Sequence, residues 1–276
     1  LTENGGQAGN GGPVTIDTST AHPARVYDFL LGGKENYEAD RAAAKALMAI
    51  SPSVVPSVRA NRAFLRRAVQ YLAGEAGIRQ FLDVGTGLPT AENTHQVAQE
   101  IAPESRVVYV DNDPVVLAHA RALLTSTPEG ATAYVHADVR DVDTVLREAA
   151  ATLDFSQPIA VMVLCIMQYV PDSARPHELV ARLMRAVLPG SYLTMSDTTR
   201  DIRTEEMMTG ASEYNQRLGP TQFTPRSRAE FAAFFDGLEF VDPGLVPLPE
   251  WRALADPRQA IPMYAAMARK PARDSG

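Results

Sequence analysis

Residues Gln80–Thr90 read QFLDVGTGLPT, and this stretch decides the fold. Phe81, Leu82 and Val84 form an apolar run without alternation, as expected of a strand covered on both faces of a parallel sheet. Asp83 stands at its end. Gly85 and Gly87 let the backbone turn sharply and approach a ligand, and Thr90 is expected to cap a helix over AENTHQVAQEIA. A strand, a glycine turn and a helix N-terminus in succession form the architecture of a nucleotide site in an open α/β sheet.

What the turn lacks narrows the ligand. A dinucleotide fingerprint needs glycine or alanine where Thr90 stands, and a phosphate loop needs Gly-Lys-Ser/Thr, which is absent. An acid ahead of G-x-G suits an amino group without phosphate, the way S-adenosylmethionine (SAM) presents its methionyl end. The next strand, RVVYVD, ends in Asp111, at the distance expected of a ribose-binding acid, with Asn112 beginning the following turn. A third, Ala131–Asp138, places Asp138 to accept from the adenine amino group, with Val139 edging the ring. Three carboxylates then line one sheet edge. An NAD-dependent oxidoreductase is the rival on the same kind of sheet, and Thr90 speaks against it. A non-catalytic sensor of SAM or adenosine is the third reading.

The chain of 276 residues accommodates one large domain, or one domain with a small subdomain. A formal charge of −7 argues against nucleic acid as an unaided partner. A single cysteine, Cys165, excludes an internal disulfide and suits a reducing, cytoplasmic setting. No apolar stretch reaches the length of a membrane span, so no membrane partner is expected. The dispersed histidines make no metal-binding pattern.

Ahead of the glycine turn lies TSTAHPARVYDFLLGGKENYEADR, a helix stopped by Gly32-Gly33 and a second helix over Glu38–Ile50. Arg25, Tyr27, Asp28, Lys34, Asn36, Tyr37 and Arg41 are more polar than a plain helical cap needs, which marks the segment as a lid with contacts. ARVYDFLLGGKENYEADR, NRAFLRRAV, GIRQFLDVGTGLPTAENTHQVAQ, VVYVDNDPVVLAHARALL and PGSYLTMSD occur in that order. Together they resemble an actinobacterial family of SAM-dependent methyltransferases long catalogued as a domain of unknown function. The resemblance runs from Ala24 to Lys270.

That resemblance implies a class I methyltransferase fold: a Rossmann-like, doubly wound, mostly parallel seven-stranded sheet with one antiparallel strand, plus an N-terminal helical cap. It implies SAM as cofactor and S-adenosylhomocysteine (SAH) as product. The expected organisation is a disordered leader over residues 1–17, a cap or lid over 18–72 and a SAM-binding domain over 73–276. Leu238–Leu248 and Pro262–Lys270 read as the last two strands, and Trp251 between them as core. The expected cofactor site comprises Asp83, Gly85, Thr86, Gly87, Thr90, Asp111, Asn112, Asp138, Val139 and Cys165, the last as an apolar filler rather than a nucleophile.

The acceptor is expected to be a small molecule methylated on oxygen or nitrogen, with secondary metabolism as the setting. Arg25, Tyr27, Lys34, Tyr37, Arg62, Gln168 and Tyr169 are the substrate and lid candidates. Many members of the family carry histidine where this chain has Gln168, and glutamine is no general base at neutral pH. Tyr37, Asp172 and Asp197 remain as candidate bases, and an acceptor already deprotonated needs none.

Overall fold

The computed structural model describes residues 17–89, 92–123, 125–218, 221–253 and 260–272. β1 (Gln80–Val84) is buried along its length and pairs in parallel with β2 (Arg106–Asp111) on one side and β4 (Ala160–Leu164) on the other. β3 (Ala131–His136) extends the sheet beyond β2, and β5 (Tyr192–Thr198) beyond β4, both in parallel. β8 (Met263–Arg269) runs antiparallel to β5. The chain thus moves outward from β1 in one direction, returns, and moves outward in the other. Above the carboxyl ends of β1 and β4 this reversal opens a crevice.

Among the described residues the sheet has eight strands rather than the expected seven. The single strand expected over Leu238–Leu248 is two short ones, β6 (Glu239–Phe240) and β7 (Val246–Pro247), each paired with β8. Pro243 lacks a ladder donor and Gly244 turns at φ +82°, so the run cannot stay extended between them. The order is β3-β2-β1-β4-β5-β8-β6, with β7 beside β8 off that path. β3 also stops earlier than expected, at His136, which leaves Asp138 in the following loop.

Alternate strand residues feed two cores. Leu82, Val108 and Val163 pack toward α6 (Val142–Ala149), α7 (Pro176–Ala186) and α9 (Arg228–Ala232). Phe81, Val107 and Met162 pack on the other face with Phe64, Leu72 and Val97, from α3 (Val54–Gln70), the turn after it and α4 (Thr94–Ile101). Trp251 is fully buried there, edge-on to Phe64 at 5.2 Å, as a core residue. α4 is capped by Asn93, where Gln96 reaches back to accept from the Asn93 amide at 2.8 Å. Thr90 and residues 1–16 of the leader expected over 1–17 lie outside the described residues, while Asp17 accepts from Ser19 and Arg25.

A third core joins α1 (Pro23–Leu30), α2 (Glu38–Ile50), the start of α3 and α8 (Thr204–Asn215), through Val26, Leu30, Ala44, Val58 and Tyr214. The cap therefore draws on a helix from late in the chain. Glu206 latches it, accepting from Ser51 Oγ at 2.8 Å and Ser53 Oγ at 2.6 Å. The glycines of GGKEN have a local cause. Asp28 is buried and accepts from the Glu35 amide at 2.9 Å and from Asn36 Nδ2 at 2.8 Å. A Cβ on Gly33 would lie 1.9 Å from Asp28 Oδ1, so no side chain fits. Among the described residues no helix is long and apolar enough to cross a membrane.

The loop after β4 is fastened by Arg226, which is 2% exposed. Its guanidinium donates to Met167 O at 2.5 Å, Val170 O at 2.8 Å and Asp172 Oδ1 at 3.0 Å, and lies 3.6 Å from Asp197 Oδ2. Burial pushes the Asp197 carboxyl up to about 7 against the pull of Arg226. Removing the arginine leaves the Met167 and Val170 carbonyls and the Asp197 carboxyl, all in buried surroundings, without their donor. Urea unfolding of Arg226→Met is expected to show a loss of roughly 3–5 kcal/mol, with much of it recovered by adding Asp197→Asn. A loss below about 1 kcal/mol would contradict the pairing.

Candidate functional site

A cavity of about 270 Å³ lies over the carboxyl ends of β1, β2, β3 and β4. Its floor is the turn Asp83–Gly87, then Asp111 and Asn112, then Ala137–Arg140, then Leu164–Ile166, each following its own strand. Its roof is His22–Ala24 and Tyr27 from the start of α1, with Asn61, Arg62 and Leu65 of α3. Tyr169 and Val170 close the side nearest the loop after β4.

Each carboxylate of the floor has a distinct setting. Asp83 is 5% exposed and accepts from Thr94 Oγ1 at 2.6 Å. Burial pushes it up to about 6, against the Thr94 hydrogen bond and the charge of Arg62. Asp111 spans two amides: Oδ2 accepts from Gly87 N at 2.8 Å and Oδ1 from Asp113 N at 2.9 Å. Burial also drives its carboxyl upward. Asp138 accepts from Arg140 N and Nε through Oδ1, and from Arg140 Nη2 and Asn112 Nδ2 through Oδ2. Burial works the other way, yet these bonds hold it below its ordinary value.

Two backbone features shape the floor. Gly85 and Gly87 sit at φ +74° and +67°, a region other residues enter at a cost. At Gly87 a Cβ would meet nothing within 4 Å, so conformation rather than space requires the glycine. Cys165 turns the chain out of β4 at φ +60°, unusual for a side-chain-bearing residue, and stands against both the cavity and Ser196.

The roof is tied to the floor by buried charge. Asp113, next to Asp111 in the loop into α5 (Pro114–Leu123), faces Arg25 Nε at 3.3 Å and His22 Nδ1 at 3.1 Å. Asp40, fully buried, accepts from the amides of His22 and Tyr37, both at 2.8 Å. On the other side of α1, Tyr27 OH donates to Val58 O at 3.0 Å and accepts from Asn61 Nδ2 at 3.1 Å. Ser196 Oγ donates to Asn61 Oδ1 at 2.6 Å, which completes a polar chain from cap to sheet.

Of the residues expected at the cofactor site, Asp83, Gly85, Thr86, Gly87, Asp111, Asn112, Asp138, Val139 and Cys165 all line this cavity. Tyr27, Arg62 and Tyr169 line it too. Six candidates stand elsewhere. Arg25 is used by Asp113 and by the carbonyl of Asp17, and its guanidinium lies 5.3 Å from the Tyr37 ring centroid. Tyr37 packs with Leu88 and Val115 rather than over the cavity, and Lys34 is exposed. Asp197 and Asp172 belong to Arg226, and Gln168 accepts from the Thr198 amide at 3.0 Å, so none of the three faces the cavity. Sequence reasoning missed His22, Arg140 and Ile166. Arg140 had a signal, since an arginine two residues after a strand-end acid can fold back onto it.

Comparison with known proteins agrees with this geometry. Residues 10–271 match the S-adenosyl methyltransferase family. No curated protein matches the sequence significantly. A crystallised DUF574-family protein of Streptomyces avermitilis is 46% identical over 93% of this chain and 100% of its own, with a TM-score of 0.90. A Thermobifida fusca protein, provisionally named a methyltransferase, is 40% identical over 93% of this chain and 97% of its own, with a TM-score of 0.86. The plantazolicin methyltransferase BpumL, solved with SAH, is similar in fold alone, at 10% identity and a TM-score of 0.55 over 90% of this chain and 96% of its own. These matches set aside the oxidoreductase reading. The chain belongs to the S-adenosyl methyltransferase family and is a SAM-dependent methyltransferase with a class I fold.

Proposed function

We propose that SAM occupies the cavity over β1–β4 and that the acceptor is a small molecule, methylated on oxygen or nitrogen beneath the cap. The observation that carries this is the ordered set Asp83, Asp111 and Asp138 along one cavity floor. Asp83 and the glycine turn take the methionyl end, Asp111 the ribose, and Asp138 with Val139 the adenine. The bound cofactor supplies an electrophilic methyl group on a sulfonium centre.

The donor set fits this ligand at two positions and conditionally at a third. A carboxylate oxygen has about two acceptor sites. Each oxygen of Asp111 accepts one amide, which leaves capacity for the two ribose hydroxyls. Asp83 offers a carboxylate to a cationic group. Asp138 is saturated by Arg140 and Asn112, so adenine contact requires Arg140 to swing away. That side chain is 58% exposed, so its guanidinium has solvent to turn into when a ligand arrives.

The remaining residues position reactants and exclude water. α1 and α3 roof the cavity, which supports an acceptor held in place beneath the cap. Burial raises the Tyr27, Tyr169 and Cys165 groups that face it, so these remain protonated near neutrality and accept no proton. An acceptor atom that enters unprotonated, or loses its proton to water, meets that constraint.

Two outcomes check the reading. Thermal shift is expected to rise with SAM and SAH and not with NADH, and Asp111→Ala is expected to weaken SAH binding at least about tenfold. Unchanged affinity in that variant contradicts the assigned role. Because the Asp83 carboxyl titrates near 6 and a cationic methionyl end favours its ionised form, SAH affinity by calorimetry is expected to be flat above that pH. Below it, affinity falls as protons compete for Asp83, and Asp83→Asn lowers affinity at neutral pH and flattens the fall through pH 6.

A further inference from the structure

A second cavity, about 70 Å³, adjoins the first and shares Pro23, Tyr27, Cys165 and Tyr169 with it. It continues the line of strand ends past β4 to Thr198 of β5 and Met263 of β8, under α1, α2, α3 and α8. Its wall is mostly apolar: Val26, Leu47, Val58, Met207 and Ala211 face it from the four cap helices. Glu206 is the one charged residue on that wall among the described residues, and its carboxylate is already used by Ser51, Ser53 and Arg203. Those serine and arginine hydrogen bonds, against the effect of burial, hold it at about 2, and it is ionised and satisfied at neutral pH.

We infer that this second cavity, reached across the seam of Tyr27, Cys165 and Tyr169, is the subsite for the methyl acceptor, and that it selects a neutral, apolar or aromatic body. This rests on the placement of the cofactor proposed above. The strand-end carboxylates assign the β1–β3 side of the first cavity to adenosine and the methionyl group. The acceptor must then approach from the β4 side, where the floor runs directly into the second cavity. Charge argues the same way. A charged acceptor body would lose its hydration there and find no free counterion on the wall.

Volume sets how an occupant sits. An engineered cavity of roughly 150 Å³ admits benzene, about twice the space available here. A ring therefore extends across the seam, with its edge beside Tyr27 and Tyr169 and close to the cofactor site. Such a position is what transfer to an acceptor requires, whereas an isolated packing void would keep its occupant away from the first cavity.

The test uses the full chain with 13C-labelled methionine methyls, saturated with SAH, and toluene as the probe. Saturable shifts of the Met207 and Met263 methyls are expected, together with nuclear Overhauser contacts from toluene to both methionines and to the homocysteine methylenes of SAH. Benzoate at the same concentrations is expected to leave those methyls unmoved. Ala211→Phe, which fills the cavity from α8, is expected to weaken toluene at least about tenfold and to leave SAH affinity within about threefold. Absence of toluene shifts, equal response to benzoate, or contacts to the methionines without any to SAH would each overturn the inference, and the contacts are read on the unsubstituted protein. If SAH itself fails to bind, the cofactor placement falls, a result distinct from SAH binding without toluene.

Discussion

The buried carboxylate of Asp111 is the constraint on which the rest of the site depends. Sealed between the glycine turn and the loop into α5, it is tolerable only because each oxygen accepts a backbone amide. Those two bonds fix the turn that carries Gly87 and present Asp113 to the cap. Asp113 then meets Arg25 and His22, and Asp40 holds the His22 and Tyr37 amides. Floor and roof of the cavity are thus connected through Asp113, Arg25 and Asp40. A ligand that engages Asp111 acts on the same network that orders α1.

This network recasts the unusual polarity of ARVYDFLLGGKENY. Much of it is spent on architecture rather than on a ligand. Arg25 fastens the cap to the sheet, Asp28 folds the GGKEN loop around its own carboxylate, and Asn36 completes that fold. The close approach of Asp28 leaves no room for a side chain at Gly33. Only the beginning of α1, at His22–Ala24 and Tyr27, faces the cavity. The cap in turn has its own apolar core and borrows α8, so it packs as a structured roof rather than a loose flap.

Much of the fold was legible because strands buried on both faces leave an unmistakable apolar run, and because a carboxylate at a strand end is locally encoded. β2 and α2 begin and end where the sequence pattern places them. The floor residues followed, since backbone continuity from strand to turn brings them to one edge. What escaped depends on contacts far apart in sequence. Asp197 and Asp172 read as candidate bases until Arg226, in a loop before α9, is brought against them. Gln168 stands away from the first cavity because its side chain accepts from the Thr198 amide, and it lines the second cavity instead. The break between β6 and β7 was encoded by Pro243 and Gly244 but outweighed by the apolar content around them. Arg140 was legible from its spacing two residues after Asp138, onto whose carboxylate it folds back, and was passed over.

On the proposed reading, the glycine turn and the three acids hold a nucleoside with a cationic tail on the β1–β3 side of the crevice, and the apolar cap receives its reaction partner on the β4 side. A crystal structure of the SAH complex tests that division most directly. The account requires both ribose hydroxyls on Asp111, the homocysteine amino group toward Asp83, and Arg140 displaced from Asp138 beside the adenine. SAH lying with its ribose away from Asp111, or running along β4 and β5 instead, would contradict it.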